Sequence, residues 1–263
     1  METRPVALVT GAARRIGRAI ALELAAHGWA VAVHARHAVE EGAETVALIE
    51  AAGGRALAFA AELADEAQCE ALVPAVLAAF GRVDAVVNNA SVFEYDDVFS
   101  FGHAAMEAAW RINTAPAIIL ARGLHAAVGA GSGRGVVVNL LDQKLAHPHP
   151  DHLSYTLSKV ALQGATTMLA QALAPRLRVC AVAPGVTLNS GNMTDAEFAA
   201  AHRMTPLQRS SSVEDVARAV CFLVEASAIT GVTLMVDGGQ HLLAQARDVM
   251  FLAREPQHPE KSP

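Results

Sequence analysis

The sequence is short of the features that mark specialised chains. Aromatic residues fill only 5% of its 263 positions, with two tryptophans, two tyrosines and eight phenylalanines. Cysteines number three, Cys69, Cys180 and Cys221. Odd in number and far apart, they suggest neither a disulfide framework nor a close-set metal motif, and they point to a reducing, cytoplasmic setting. A formal charge of −6 and a pI near 6.0 leave no basic footprint for nucleic acid, although Arg14, Arg15 and Arg18 cluster locally. Uncharged apolar runs of eighteen residues are missing, and the start METRPVALVTG has too short an apolar stretch for a signal sequence. A soluble chain with no membrane partner is therefore expected.

What is present is aliphatic. Hydrophobic residues make up 53% of the chain and alanine dominates, which suits helices packed closely on a sheet and argues against disorder. Short β-rich runs recur at 6–10, 30–34, 56–60, 83–87, 135–140, 178–183 and 232–237. About six segments of helical spacing lie between them. In IGRAIALELAAHG, for example, Ile16, Ala19, Ile20 and Leu24 share a face. Strands that are apolar throughout are buried on both faces, as in a parallel sheet between two helical layers. The expectation is one doubly wound, Rossmann-type α/β domain: a seven-stranded parallel sheet flanked by helices. Its core would span residues 5–239, and a C-terminal extension, 240–263, would form a short helix and a loose Pro-rich tail.

The first strand runs into TGAARRIG and then a helix, the context of a dinucleotide-binding turn. Gly11 would make the tight turn and Gly17 the close helix–strand approach, with Arg14, Arg15 and Ile16 between them. Arg15 stands where a middle glycine is usual, and its guanidinium could pair with pyrophosphate or substrate. The second strand ends VHAR, with His34 and Arg36 where NAD-dependent folds carry an acid for the ribose. With Arg36 and Arg14 available to a 2′-phosphate, NADPH is the expected cofactor; the plainer alternative is that Arg36 is a solvated charge. Glu62 and Leu63 could flank the adenine. Asn88, Asn89 and Ala90 end the fourth strand beside the cofactor, and Asn88 could equally be structural.

TGxxxxxG, then Asn88-Asn89-Ala90, Tyr155-x-x-x-Lys159 and Pro184-Gly185, in this order, resemble the short-chain dehydrogenase/reductase family over residues 5–239. The resemblance implies that Tyr155 is the proton donor. Lys159 would bind the nicotinamide ribose and lower the tyrosine pKa, and Asn113 would hold a relay water. Pro184-Gly185 and Ser91 would border the cofactor. A free phenol has a pKa of about 10, so a nearby ammonium suits proton exchange near neutrality. The family also implies a homotetramer, with helices around 103–128 and 152–175 at one interface and the C-terminal segment near another.

One residue departs from that family's usual pattern. Most members carry serine where this chain has Asp142, and an aspartate there, an arginine in the glycine turn and an aromatic soon after NNA are similar to the pteridine reductases. The corresponding residues here are Asp142, Arg15 and Phe93. An ionised carboxylate would oppose a developing alkoxide, so Asp142 argues against a simple ketone. It suits a heterocycle with ring N–H and amino donors, and protonation at nitrogen. Phe93 would stack on the ring while Ser91 and Arg15 meet its polar edge; alternatively Phe93 is a core aromatic and Asp142 a helix cap.

His147, His149 and His152 suggest an extended loop at the substrate mouth rather than a metal site, and no metal is expected. Residues 186–204, with Gly191, Leu188 and Met193, could form a lid. The expected activity is NADPH-dependent reduction of a dihydropterin. The rivals are a short-chain reductase for another carbonyl or imine, and a non-catalytic NADP-binding regulatory protein.

Overall fold

The computed structural model describes residues 4–129, 133–189 and 193–254. Seven strands alternate with helices in chain order: β1 (Val6–Val9), α1 (Arg15–Ala26), β2 (Ala30–Ala35), α2 (Ala43–Ala51), β3 (Arg55–Ala60), α3 (Glu66–Phe80) and β4 (Ala85–Asn88). Then come α4 (His103–Ala109), α5 (Ala115–Gly129), β5 (Gly135–Leu140), α6 (Leu153–Ala172), β6 (Leu177–Pro184), α7 (Asp195–Arg203), α8 (Val213–Glu225), β7 (Thr233–Val236) and α9 (Val249–Leu252). The strands form one sheet in the order β3-β2-β1-β4-β5-β6-β7, every neighbouring pair parallel. The order reverses beside β1, so the carboxyl ends of β1 and β4 border the crevice where such sheets bind ligands.

Strand periodicity explains the layers. Ala7 and Val9 of β1 join one apolar cluster with Ile20 and Leu24 of α1 and Val216 and Val220 of α8. Val6 and Leu8 point the other way, to Leu72 and Val76 of α3 and Leu120 and Leu124 of α5. Successive side chains thus feed opposite helical layers, which is why the strands read as unbroken apolar runs. Helix starts are fixed locally: Thr194 and Glu197 form a capping box on α7, and Ser212 and Asp215 another on α8.

Three differences from the expected elements have local causes. The fourth strand starts at Ala85, not Val83, because the Asp84 carboxylate turns back to accept the Val6 N–H at 2.8 Å and pairs with Arg82. Nine α-helical segments occur among the described residues rather than six, since α4 continues through a π-turn, Trp110–Thr114, into α5 and the region after β6 is helical. The extension after β7 is a 3-10 turn, Gln240–Leu242, then α9. The expected loose tail lies beyond Arg254, outside the described residues.

Candidate active site

The glycine turn is assembled from three strands. Gly11 takes φ +62, in the left-handed region, and a side chain on Gly17 would sit 2.2 Å from the Gly11 carbonyl oxygen, so both positions demand glycine. Asn89 donates to the carbonyls of Thr10 (2.9 Å) and Gly11 (3.2 Å), and the Thr10 hydroxyl accepts the N–H groups of Asn89 and Ala90. The end of β4 therefore clamps the turn after β1. The first turn of α1 contains no acid, leaving the N-terminal amides open to a phosphate. Ile16 packs its side chain beneath this turn, against the core.

Arg15 adopts φ 56, the left-handed conformation that a glycine would take more cheaply, by about 1–2 kcal/mol. Its guanidinium donates to the Asn189 carbonyl at 3.2 Å, bridging the glycine turn to the segment after β6. Arg14 is exposed beside it. The third arginine, Arg18, ties α1 to α2 through Thr45 and Glu44 and faces away from this role.

His34 has a different place from the one expected. It is buried at the end of β2, its Nδ1 accepting the Gly11 N–H at 3.1 Å, which leaves Nε2–H to donate to the Ala61 carbonyl at 3.0 Å. Burial lowers its pKa, so the neutral ring is favoured. Both nitrogens are committed to backbone, and the ring supports the turn rather than presenting a group to a ribose. Arg36, at the surface, pairs with Glu62 at 2.5 Å. Burial works against the Glu62 carboxylate, but the Arg36 hydrogen bond and charge hold its pKa below the usual range. Leu63 is buried next to it.

Asn88 donates to Asn139 at 2.8 Å, and Asn139 to Thr166 at 2.9 Å, a buried chain that makes Asn88 structural. Asn113 lies in the π-turn. Its oxygen accepts from Ser91 Oγ (3.0 Å) and Val92 N–H (2.8 Å), and its amide donates to the Val92 carbonyl (3.1 Å) and Ser158 Oγ (2.9 Å). Four bonds saturate the side chain. It fastens the loop after β4 to α6, and the side-chain amide has no group left for the expected relay water. The π-turn itself carries no signature in the sequence.

The chemical centre is a pair. Tyr155 donates its O–H to Asp142 Oδ2 at 2.8 Å, while Asp142 Oδ1 caps the 3-10 turn Gln143–Ala146 by accepting the Lys144 N–H at 2.9 Å. The capping role is therefore observed at one oxygen, and the other oxygen is bound by the Tyr155 hydroxyl. Burial raises the Asp142 pKa. Burial, then the charge of Asp142, push Tyr155 well above the ordinary phenol value. The direction is opposite to the lowering expected from Lys159: burial, and then the Asp142 carboxylate on the hydroxyl, raise the phenol pKa, while the Lys159 ammonium is bound to the Leu140 carbonyl. Lys159 donates to the Leu140 carbonyl at 2.8 Å and sits 5.7 Å from the Tyr155 ring centre; burial brings its pKa down to about 8.

Phe93, 40% exposed, meets the Tyr155 ring edge-on at 4.7 Å. One of its faces is already covered by His152, at 4.1 Å and 21°. His152 enters α6 at φ 55 and contacts the Glu94 carbonyl through Nδ1. The buried Asp96 accepts the Ser154 N–H and hydroxyl, fixing the same helix end. Sequence reasoning missed Asp96, whose setting in EYDD looks like a solvated loop. The histidines of HPHPDH go to separate places: His147 to solvent, His149 beside Asp151 and Asp248, His152 under Phe93.

After β6, a side chain on Gly185 would meet Asp237 Cβ at 2.8 Å, so the Pro184-Gly185 bend is also glycine-specific. Leu188 and Met193 are half-buried, and Asn189 spans them by donating to the Met193 carbonyl at 2.6 Å. Gly191 lies outside the described residues.

Comparison with known proteins places this geometry. The profile described as enoyl-(acyl carrier protein) reductase matches residues 11–241. The chain belongs to the short-chain dehydrogenase/reductase family. As a member of that family it is an oxidoreductase. Among solved structures it is similar to FolM alternative dihydrofolate reductase 1 from Brucella suis, in complex with NADP. The two share 39% identity and a TM-score of 0.87 over 94% of this chain and 98% of that one. The Brucella canis counterpart, also complexed with NADP, shows 38% identity and a TM-score of 0.84 over 92% and 95% of the two chains. Among sequence relatives, the 3-oxoacyl-[acyl-carrier-protein] reductase FabG of Staphylococcus aureus is 33% identical over 92% of this chain and its own full length.

Proposed function

We propose that this oxidoreductase carries out NADPH-dependent reduction of a pteridine, a dihydropterin to its tetrahydro form, with hydride going to a ring carbon and a proton to a ring nitrogen. The observation that carries the reading is the hydrogen bond between Tyr155 and Asp142. The likeness to structures named as alternative dihydrofolate reductases supports it.

The cofactor reading rests on the fit of the turn. Gly11 and Gly17 allow the tight packing of the turn that leads into α1, whose N-terminal amides would meet a pyrophosphate, with Asn89, Ala90, Pro184 and Gly185 bordering the crevice. Arg36 and Arg14 would meet a 2′-phosphate, and Lys159 the nicotinamide ribose. Bound NADPH supplies the hydride.

The chain's own residues govern the proton. While Asp142 is ionised it accepts the phenol hydrogen, and loss of a proton from Tyr155 would set two anions in contact. Once Asp142 is protonated, its O–H can donate to the phenol oxygen, and the Tyr155 O–H is free to turn to a substrate nitrogen. The dyad thus passes a proton outward from carboxyl to phenol to ring. Ionised Asp142 can instead accept amino and ring N–H donors and so orient the heterocycle. Phe93, backed by His152, offers its remaining surface to the flat ring.

A homotetramer fits the same reading. Leu157, Val160 and Met168 form an exposed apolar stripe on α6, and Trp110 is exposed in the π-turn.

The test is NADPH consumption with dihydrobiopterin, dihydromonapterin, dihydrofolate and simple ketones. Turnover of the pterins above the ketones is expected. Turnover of ketones alone would overturn the substrate reading, and equal rates with NADH would overturn the role given to Arg36.

A further inference from the structure

Behind Asp142 lies a second group of charges. Lys144 is buried on the 3-10 turn that Asp142 caps, and its ammonium donates to the Asp151 carbonyl at 2.9 Å. The Asp151 carboxylate, also buried, accepts from Arg247 at 2.6 Å and from the Asp248 N–H at 2.8 Å, so it holds the segment that follows β7. Asp248 in turn caps α9 through the Met250 N–H and lies 3.8 Å from His149. A continuous path of hydrogen bonds therefore runs from the C-terminal segment through Asp151 and Lys144 to the Asp142–Tyr155 pair.

We propose that Lys144 is a positioning residue for the Asp142–Tyr155 dyad, and that the C-terminal segment, docked through Asp151, completes the site by bringing the charge of Asp248 within reach of the same pair. The buried ammonium of Lys144 and the half-buried carboxylate of Asp248 act on Asp142 with opposite sign. Asp142 is bonded by the Lys144 N–H and the Tyr155 hydroxyl, and the charges that act on it are those of Lys144 and Asp248. Lys144 also faces Asp151, and its charge acts on His149. His149 faces Asp151, Asp248 and His152 as well. Lys159 feels Asp142 from the other side of the tyrosine. Burial drives Lys144 below the usual lysine range while the three aspartates oppose that, which is the balance expected of an ammonium retained for its charge.

This inference rests on the proposed role of the dyad, and its test can be read without substrate. The chain has two tyrosines, Tyr95 and Tyr155. With isotope-labelled tyrosine, the NMR signals are two, and Tyr95→Phe assigns the one from Tyr155. That signal follows protonation of its partner Asp142. Lys144→Met removes a cation and should move the midpoint to higher pH. Asp248→Asn removes an anion and should move it to lower pH, and Lys144→Arg should restore the native value. In a pterin assay the pH at which kcat falls should move in the same two directions, so that at the native midpoint kcat rises by at most about twofold in Lys144→Met and falls severalfold in Asp248→Asn.

Shifts of opposite sign are the result that a purely structural role would not give. An unmoved midpoint in folded Lys144→Met protein, or shifts of the same sign, would overturn the proposal. If no pterin is turned over but the NMR midpoints move as stated, the positioning role stands and the substrate reading falls.

Discussion

Asp142 has two neighbours with different demands, the Lys144 amide and the Tyr155 hydroxyl, and a serine could satisfy only part of that geometry. Asp142→Ser should leave NADPH affinity unchanged and lower kcat for pterin by about a hundredfold or more, the range for losing a positioned acid–base group. Fluorescence titration and steady-state kinetics check the two halves. The pH dependence follows from the raised carboxyl. Its proton is held at low pH and released as pH rises through the raised value, so reduction should slow with rising pH, and Asp142→Asn should remove that limb from the kcat profile. Arg15→Gly should relieve about 1 kcal/mol of left-handed strain while releasing the tie to Asn189. Thermal denaturation would show little loss of stability, and NADPH titration would show a higher Kd. The grouping of Tyr155 with Lys159 was legible in their residue types and spacing, and Asp142 in the family resemblance, as a departure from the usual serine. Lys144 and His34 were not, because nothing in a sequence marks a lysine as buried or shows which backbone groups claim a histidine ring.

At the scale of elements, the turn between β1 and α1 is the least forgiving part of the molecule. Gly17→Ala would drive a methyl group against the Gly11 carbonyl and the Asn89 amide. Loss of NADPH binding is expected, read by calorimetry, with secondary structure retained in circular dichroism because the contact is confined to the turn. The seven strands could be read within one or two residues, since burial on both faces writes itself as Val, Ala and Leu runs such as VALV and AVAVHA. The joined α4–α5 element could not. Its π-turn holds Asn113 in place by bonds to Ser91, Val92 and Ser158, partners that come together only in three dimensions. The C-terminal extension was legible only as a short helix, because its docking depends on one carboxylate, Asp151, supplied from 96 residues earlier in the chain.

Across the whole molecule, the proposed tetramer makes a claim about α6, where three apolar side chains are exposed. Leu157, Val160 and Met168 follow helical spacing along α6, and Gly164 leaves open space in the same stripe. Replacing Val160 and Met168 together by glutamate should convert a tetramer into smaller species in light scattering, while a wild-type chain that is already monomeric would refute the assembly. The anchorage of Arg247 and Asp248 on Asp151 bears on the order in which the protein is made. Synthesis runs from the N-terminus, so the glycine turn, all seven strands and the dyad emerge before Arg247 does. A nascent chain at that stage has all the side chains proposed for catalysis but lacks the segment that docks on Asp151. A chain stopped just ahead of Arg247 keeps Asp142, Tyr155 and Lys144 but lacks Asp248, so its Tyr155 midpoint should move in the direction given for Asp248→Asn, a shift that the final stretch of translation would undo.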